Sequence, residues 1–95
     1  MITVSVGGGF VKVSGHSGYA EQGADIVCAA VSSATELLSA VLDELGESCG
    51  ASADSKNALV TFSNIDTDSP AVIAYRRHIA KISEDYPKYV KLEEV

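Results

Sequence analysis

The chain has 95 residues, 46% of them hydrophobic, and its 13 acidic and 7 basic residues give a net charge of −6. This length predicts a single domain over residues 1–95 with one small core, and the hydrophobic content excludes an intrinsically disordered chain. The acidic balance argues against direct nucleic-acid binding, which depends on Lys and Arg side chains that neutralise phosphates.

Two strands joined by a glycine turn are predicted at the start of the chain. Apolar and polar residues alternate over 2–6, a pattern typical of a half-buried strand, and apolar residues recur over 10–13. The three glycines at 7–9 predict the turn between them, since glycine accepts positive φ. The second strand should end near Gly15, which places His16 at a strand end and at the start of a loop.

A long helix is predicted after this loop. Asp25 is a residue type that caps helices, and Gly46 is typical of a helix stop, so the helix should run from there to about Leu45. Cys28 then lies in the first helical turn, to one side of the apolar stripe. The residues of that predicted stripe are Val27, Ala30, Val31, Ala34, Leu38, Val41 and Leu45.

In the second half of the chain, two more strands, a second helix and a last strand are predicted. Ser69 followed by Pro70 predicts a helix start, and Pro87 should end that helix. Three strands are predicted around it, a weak one over 47–53, a buried one over 58–62 and a last one over 88–92. The order β-β-α-β-β-α-β indicates an α+β fold, a small two-layer domain with a mixed or antiparallel sheet and two main helices.

The sequence also carries expectations about compartment and cofactors. The opening residues lack the basic region of a signal peptide, and no apolar run is expected to reach membrane-spanning length. We therefore expect a cytoplasmic protein without a membrane partner, in which Cys28 and Cys49 stay reduced. These cysteines, with His16 and His78, form no zinc-binding spacing, so neither metal nor cofactor is expected.

One histidine and one cysteine on either side of the loop suggest thiol chemistry. A helix N-terminus favours the negative charge of a thiolate, its free N–H groups can hold an oxyanion, and His16 can move the proton of Cys28. Each residue also has an ordinary structural interpretation, such as a core cysteine or a surface histidine. Spacing alone leaves three hypotheses: a cysteine protease, a non-enzymatic binding module, and a redox sensor that pairs Cys28 with Cys49.

A longer block of residues favours the first of these hypotheses, the cysteine protease. The block consists of Gly15-His16-Ser17-Gly18-Tyr19-Ala20 followed by Gly23-Ala24-Asp25-Ile26-Val27-Cys28-Ala29-Ala30-Val31-Ser32. It resembles the signature of the ribosomal-processing cysteine protease family Prp, also called YsxB-like. The Met-Ile-Thr-Val opening, the second helix and the ending around residues 86–90 resemble that family too, so the likeness covers nearly the whole chain.

The resemblance implies a specific activity. Members of the family remove a short N-terminal extension from protein twenty-seven of the large ribosomal subunit in Firmicutes and related bacteria. They are homodimers, they need no cofactor or metal, and a mobile loop lies over their active site. Ser17 stands where many relatives have alanine, a difference that is expected to leave the chemistry unchanged.

The resemblance also assigns roles to particular residues. His16 would be the catalytic acid and base and Cys28 the nucleophile, with Asp25 and Ser32 as supporting residues. The substrate-binding loop would include Gly18, Tyr19, Ala20 and Gly23. The expected partner is a ribosomal protein that carries an N-terminal extension and is bound as a peptide substrate.

Overall fold

Five strands and two helices follow one another in the predicted order. The computed structural model describes residues 1–21, 23–47 and 49–95. Gln22 of the predicted loop and Ser48 of the predicted weak third strand lie outside the described residues. The elements are β1 (Ile2–Gly7), β2 (Phe10–Ser14), α1 (Ile26–Glu44), β3 (Gly50–Asp54), β4 (Leu59–Ser63), α2 (Pro70–Asp85) and β5 (Val90–Glu94).

The strands form one mixed sheet in the order β3-β4-β2-β1-β5. β1 pairs with β2, β2 with β4 and β3 with β4, all antiparallel, whereas β5 lies parallel to β1. The parallel pair arises because α2 carries the chain back before β5 begins, and a parallel neighbour requires such a crossover. The fold is thus α+β, and β5 decides between the two sheet types that the sequence left open.

The core lies on the face of the sheet that both helices cover. Alternate residues of the central strands, together with one stripe of each helix, supply its side chains. The buried apolar residues are Ile2, Val4, Val6, Val11, Phe62 and Val90 from the sheet, Val27, Val31, Leu38, Leu42, Val72, Tyr75, Ile79 and Ile82 from the helices, and Ile65.

Both predicted ends of α1 are confirmed. Asp25 is the N-cap and accepts a hydrogen bond from the backbone N–H of Cys28 at 2.8 Å. At the other end Gly46 has a φ of 68°, in the left-handed region that glycine adopts most easily after a helix. Cys28 is consequently held in the first turn of the helix.

The predicted apolar stripe of α1 is partly wrong. Ala30 and Leu45 are exposed, whereas Thr35 and Leu42 are buried. Thr35 is buried without an unsatisfied hydroxyl, because its Oγ1 donates to the Val31 carbonyl at 2.8 Å and lies 2.9 Å from the Tyr75 hydroxyl. This pair of hydroxyls joins the two helices inside the core.

The predicted start of α2 is confirmed, and β4 is less buried than predicted. Ser69 caps α2 through a bond from the Ala71 N–H at 3.3 Å. In β4 only Phe62 is fully buried, and Val60 remains half exposed. The sheet extends beyond the helices at β4 and β3, and this end of its apolar face is open.

Hydropathy gives α1 a second possible interpretation. Among the residues that the structure describes, α1 is long and apolar enough to cross a membrane by length and composition alone, with a mean hydropathy of 1.6. The expectation that no segment reaches spanning length is therefore wrong on those two criteria, because alanine and valine keep the average high between scattered serines. In the fold, α1 supplies Val27, Val31 and Leu38 to the core, and core helices pass the same test.

Candidate active site

The loop that carries His16 begins at a glycine whose geometry is demanding. Gly15 has a φ of 91°, and a side chain at this position would collide with the carbonyl oxygen of Met1. Its N–H donates to the Ala58 carbonyl at 2.9 Å. The chain therefore leaves β2 in a fixed direction, with His16 exposed immediately after this point.

A cluster of hydrogen bonds around Asp25 joins the loop to the helix. The buried Ser17 hydroxyl donates to the Asp25 carboxylate and also accepts the Tyr19 N–H at 3.2 Å. The same carboxylate accepts the Ala20 N–H at 3.4 Å and, through its other oxygen, the Cys28 N–H at 2.8 Å. Asp25 thus sets the position of the loop relative to the first turn of α1.

These bonds also determine the charge of Asp25. The Ser17 hydroxyl, followed by the backbone N–H groups of Cys28, Ala20 and Val27, holds the pKa of Asp25 below its ordinary value of 3.8, although partial burial opposes the effect. Asp25 is therefore ionised at neutral pH. Among the described residues its bonds go to the loop and the helix, so it acts as cap and loop anchor and does not orient His16.

Most of the predicted site residues line one depression. It lies where the loop meets the start of α1 and has a volume of about 440 Å³. Its lining residues are His16, Gly18, Ala20, Gly23, Asp25, Cys28, Ala29 and Ser32. The fold therefore brings the imidazole and the thiol to the same surface, with Ser32 one helical turn beyond Cys28.

Tyr19 is the predicted site residue that does not line the depression. Its ring packs edge-on against Tyr86 and Tyr89, with centroids 5.7 and 5.2 Å apart, respectively. Val31, on the same helix as Cys28, is only 1% exposed and belongs to the core, so it does not line the depression either. Tyr19 thus holds the loop against the segment between α2 and β5.

The expected oxyanion site is also changed by the structure. The Cys28 N–H already donates to Asp25, so this amide is not free to hold an oxyanion in the conformation described. Cys49 is a free, half-buried thiol that does not line the depression. Within residues 1–21, 23–47 and 49–95, no group of three or more His, Cys, Asp and Glu side chains is arranged to hold a metal ion.

Sequence reasoning missed the role of Ser17. The position looked like a neutral exchange for alanine, yet Ser17 is only 3% exposed and its hydroxyl is the principal cause of the lowered Asp25 pKa. The sequence held one weak signal, a serine two residues before Tyr19, which is the spacing of a local side-chain turn. The contact with Asp25, eight residues away, depends on the shape of the whole loop.

Comparison with known proteins decides the family. A model of the family described as cysteine protease Prp matches residues 1–91. The chain belongs to this family. It is therefore a cysteine protease, as the block around His16 and Cys28 predicted.

Solved structures confirm the fold. The chain resembles the ribosomal processing protease Prp from S. aureus in complex with a covalently linked product peptide, with a TM-score of 0.90 and 23% sequence identity. It also resembles the same protease in complex with a substrate peptide, with a TM-score of 0.85 and 22% sequence identity. Each likeness covers 100% of both chains. It also resembles SMU.848 from Streptococcus mutans, with a TM-score of 0.80 and 25% identity over 100% of this chain and 94% of that one. No curated protein matches the sequence.

The charge of Asp25 leads to a prediction about stability. Its pKa is lower in the folded state, so its charge stabilises the fold fully above about pH 3.8, and the contribution is lost as the pH falls through the lower folded-state value. Asp25→Asn can still cap the helix but lacks this charge. We expect a lower Tm than the parent near neutral pH and a difference that shrinks at strongly acid pH, measured by circular dichroism.

The matched control is Asp68→Asn, because Asp68 is an exposed carboxylate outside the cluster of hydrogen bonds around Asp25. A deficit of Asp25→Asn that stays constant from neutral to acid pH would contradict the assignment of this charge.

Proposed function

We propose that this cysteine protease is a processing endopeptidase that removes an N-terminal extension from a protein of the large ribosomal subunit, protein twenty-seven. One observation carries the proposal: His16 and Cys28 line the same open depression at the start of α1, in a chain that matches the Prp family over residues 1–91. The S. aureus relatives are described as ribosomal processing proteases in complex with a substrate peptide or a covalently linked product peptide, which supports a peptide substrate here.

In the proposed mechanism Cys28 is the nucleophile and His16 transfers the protons. His16 takes the proton of the Cys28 thiol, and the thiolate attacks the scissile carbonyl carbon to form a tetrahedral adduct. The adduct collapses to a thioester when His16 gives the proton to the leaving amine. Water, deprotonated by His16, then attacks the thioester, and the carboxylic acid leaves as the thiol is restored.

The electrostatics of the site make His16 necessary in this scheme. The N-terminal end of α1 favours a thiolate at Cys28, but the ionised Asp25 beside it opposes a second negative charge. A protonated imidazole at His16 offsets that opposition while the thiolate exists. Ser32, exposed one turn after Cys28, can donate its hydroxyl to the bound peptide.

Small residues around the depression support a substrate preference. Gly18, Ala20 and Ala29 leave the approach to Cys28 open, and an extended peptide can be read through its backbone and apolar side chains. We therefore expect a small residue next to the scissile bond. The family resemblance further implies aromatic residues before that small residue in the extension of the ribosomal protein, and we expect little cleavage of unfolded casein. Mass spectrometry of both reactions measures this selectivity.

The same reactions separate the alternatives. Binding of the ribosomal protein without a cut would favour a non-enzymatic module, and a peroxide-dependent Cys28–Cys49 disulfide would favour a redox sensor. Casein digestion at the rate of the matched protein would contradict a processing role and indicate a general protease.

We also propose that the protein acts as a homodimer in the cytoplasm, without a membrane or nucleic-acid partner. A second depression of about 440 Å³ between α1 and α2 supports the dimer, because Leu37 at its rim is 63% exposed and Ala74 and Tyr75 line it. We expect Leu37→Glu to shift the protein from dimer to monomer in sedimentation equilibrium. Lys81→Glu, on an exposed part of α2, should leave the dimer intact, and a monomeric parent would contradict the proposal.

A further inference from the structure

The imidazole of His16 owes its position to the backbone on either side of it. His16 is exposed, and among the residues that the structure describes, the side-chain hydrogen bonds of this region involve its neighbours and not its ring. The direction of a side chain without such a partner follows from its backbone, which limits the rotamers that it can adopt. The residues that fix the backbone at position 16 therefore fix the place of the acid and base of the proposed function.

Both neighbours of His16 in the chain are held. Before it, the hydrogen bond from the Gly15 N–H to the Ala58 carbonyl, at 2.9 Å, fixes the chain just after β2. After it, Ser17 is only 3% exposed, so its side chain is enclosed by the fold. The Ser17 hydroxyl donates to the Asp25 carboxylate, and this bond anchors the chain on the other side of His16.

The carboxylate of Asp25 links this anchor to the nucleophile. One of its oxygens, Oδ2, accepts the Ser17 hydroxyl, and the other, Oδ1, accepts the Cys28 N–H at 2.8 Å. Because both bonds end on one planar group, the residue after His16 and the amide of Cys28 keep a fixed separation. The Ala20 N–H also reaches Oδ2, but its distance of 3.4 Å is beyond the usual ~2.7–3.2 Å. The Ser17 hydroxyl is therefore the stronger of the two bonds from the loop to Oδ2.

The Ser17 hydroxyl acts on the site through position and not through charge. It is the largest cause that holds the pKa of Asp25 below its ordinary value of 3.8, and without it this pKa would return toward that value. A carboxyl group with a pKa near 3.8 is still ionised at neutral pH. Removal of the hydroxyl therefore leaves the charge beside Cys28 unchanged and releases only the chain that follows His16.

We propose that Ser17 is a positioning residue of this cysteine protease, whose hydroxyl holds the His16 imidazole within reach of the Cys28 thiol through the Asp25 carboxylate. This role rests on the proposed function, in which His16 takes the proton of that thiol. Ser17 itself touches neither the substrate nor the reacting atoms, since it is buried and does not line the depression. Its effect on the reaction should therefore depend entirely on the presence of His16.

The test measures how fast iodoacetamide alkylates Cys28 at neutral pH, by intact mass spectrometry. All proteins, the parent included, carry Cys49→Ser, so that Cys28 is the remaining thiol. Ser17→Ala should react roughly tenfold more slowly than the parent, because a catalytic group misplaced by about 1 Å can cost roughly 10²-fold in rate. His16→Ala should also react more slowly, since the positioned base is lost. The addition of Ser17→Ala to His16→Ala should change nothing further.

Ser69→Ala is the matched control. Ser69 is also 3% exposed, and its hydroxyl donates to the Glu47 carboxylate at 3.1 Å and accepts the Ala71 N–H at 3.3 Å. The two serines thus have the same burial and the same kinds of bond, but Ser69 caps the other helix, α2. Alanine fits in the space of either serine, so both variants should fold with a lower Tm in circular dichroism. Only Ser17→Ala should slow the alkylation.

A parent-like rate in Ser17→Ala, together with slow alkylation in His16→Ala, would overturn the positioning role and leave the proposed function standing. An effect of Ser17→Ala that persists in the His16→Ala protein would overturn it too, because the hydroxyl would then act on the fold or on access to Cys28. If His16→Ala reacted as fast as the parent, the proposed mechanism at Cys28 and His16 would fail, and the role of Ser17 with it.

Discussion

Cys28→Ser is expected to abolish cleavage while the protein remains folded and still binds peptide. The serine hydroxyl has nearly the shape of the thiol, so the first turn of α1 and its bond to Asp25 should persist. A hydroxyl is a much weaker nucleophile unless a strong base removes its proton, and the proposed mechanism depends on a thiolate. We expect a rate at least roughly 10³-fold below the parent in a peptide cleavage assay.

The matched control is Cys49→Ser. Cys49 is the other free, half-buried thiol and does not line the depression, so cleavage should continue at nearly the parent rate. Peptide binding to both variants, measured by calorimetry, shows whether the site is intact. Near-parent cleavage by Cys28→Ser would show that Cys28 is not the nucleophile.

His16→Ala is expected to lower kcat/KM by roughly 10²-fold or more, the usual scale for a positioned acid–base group. Without the imidazole, the positive charge that would offset the ionised Asp25 when a thiolate forms at Cys28 is lost. We expect the loss mainly in kcat, because Gly18, Ala29 and the other small residues of the depression remain.

His78→Ala provides the comparison for His16→Ala. His78 is exposed on α2 and lines the depression between the helices, apart from the depression that holds Cys28. Its removal should leave the rate unchanged. A parent-like rate in His16→Ala would assign the proton transfer to another group.

The order of elements and the helix ends were predictable because they depend on neighbouring residues. A cap such as Asp25 and a stop such as Gly46 act within one helical turn, so the chain shows them directly. The buried face of α1 was less predictable. Thr35 is buried because Tyr75, 40 residues later, supplies a partner for its hydroxyl, and no local pattern shows that contact.

Some features of the candidate site were likewise predictable from the sequence, and others were not. The residue types and their spacing suggested thiol chemistry at His16 and Cys28, since a thiol in a first helical turn after a glycine-bounded loop is a local feature. The roles of the two residues came from the family resemblance. The role of Ser17 and the packing of Tyr19 on Tyr86 and Tyr89 were not predictable, because they join distant segments. The commitment of the Cys28 amide to Asp25 likewise appears only once cap and loop are assembled.

By itself, the sequence determined the elements and their order, because short-range spacing and capping encode both, and it predicted the residues proposed to carry the chemistry. Only the tertiary structure decided that β5 lies parallel to β1, where the depression opens, and that the sheet extends beyond its helices at β3 and β4. These features depend on how elements far apart in the chain cover one another. Burial is set by that packing, and a single segment does not contain it.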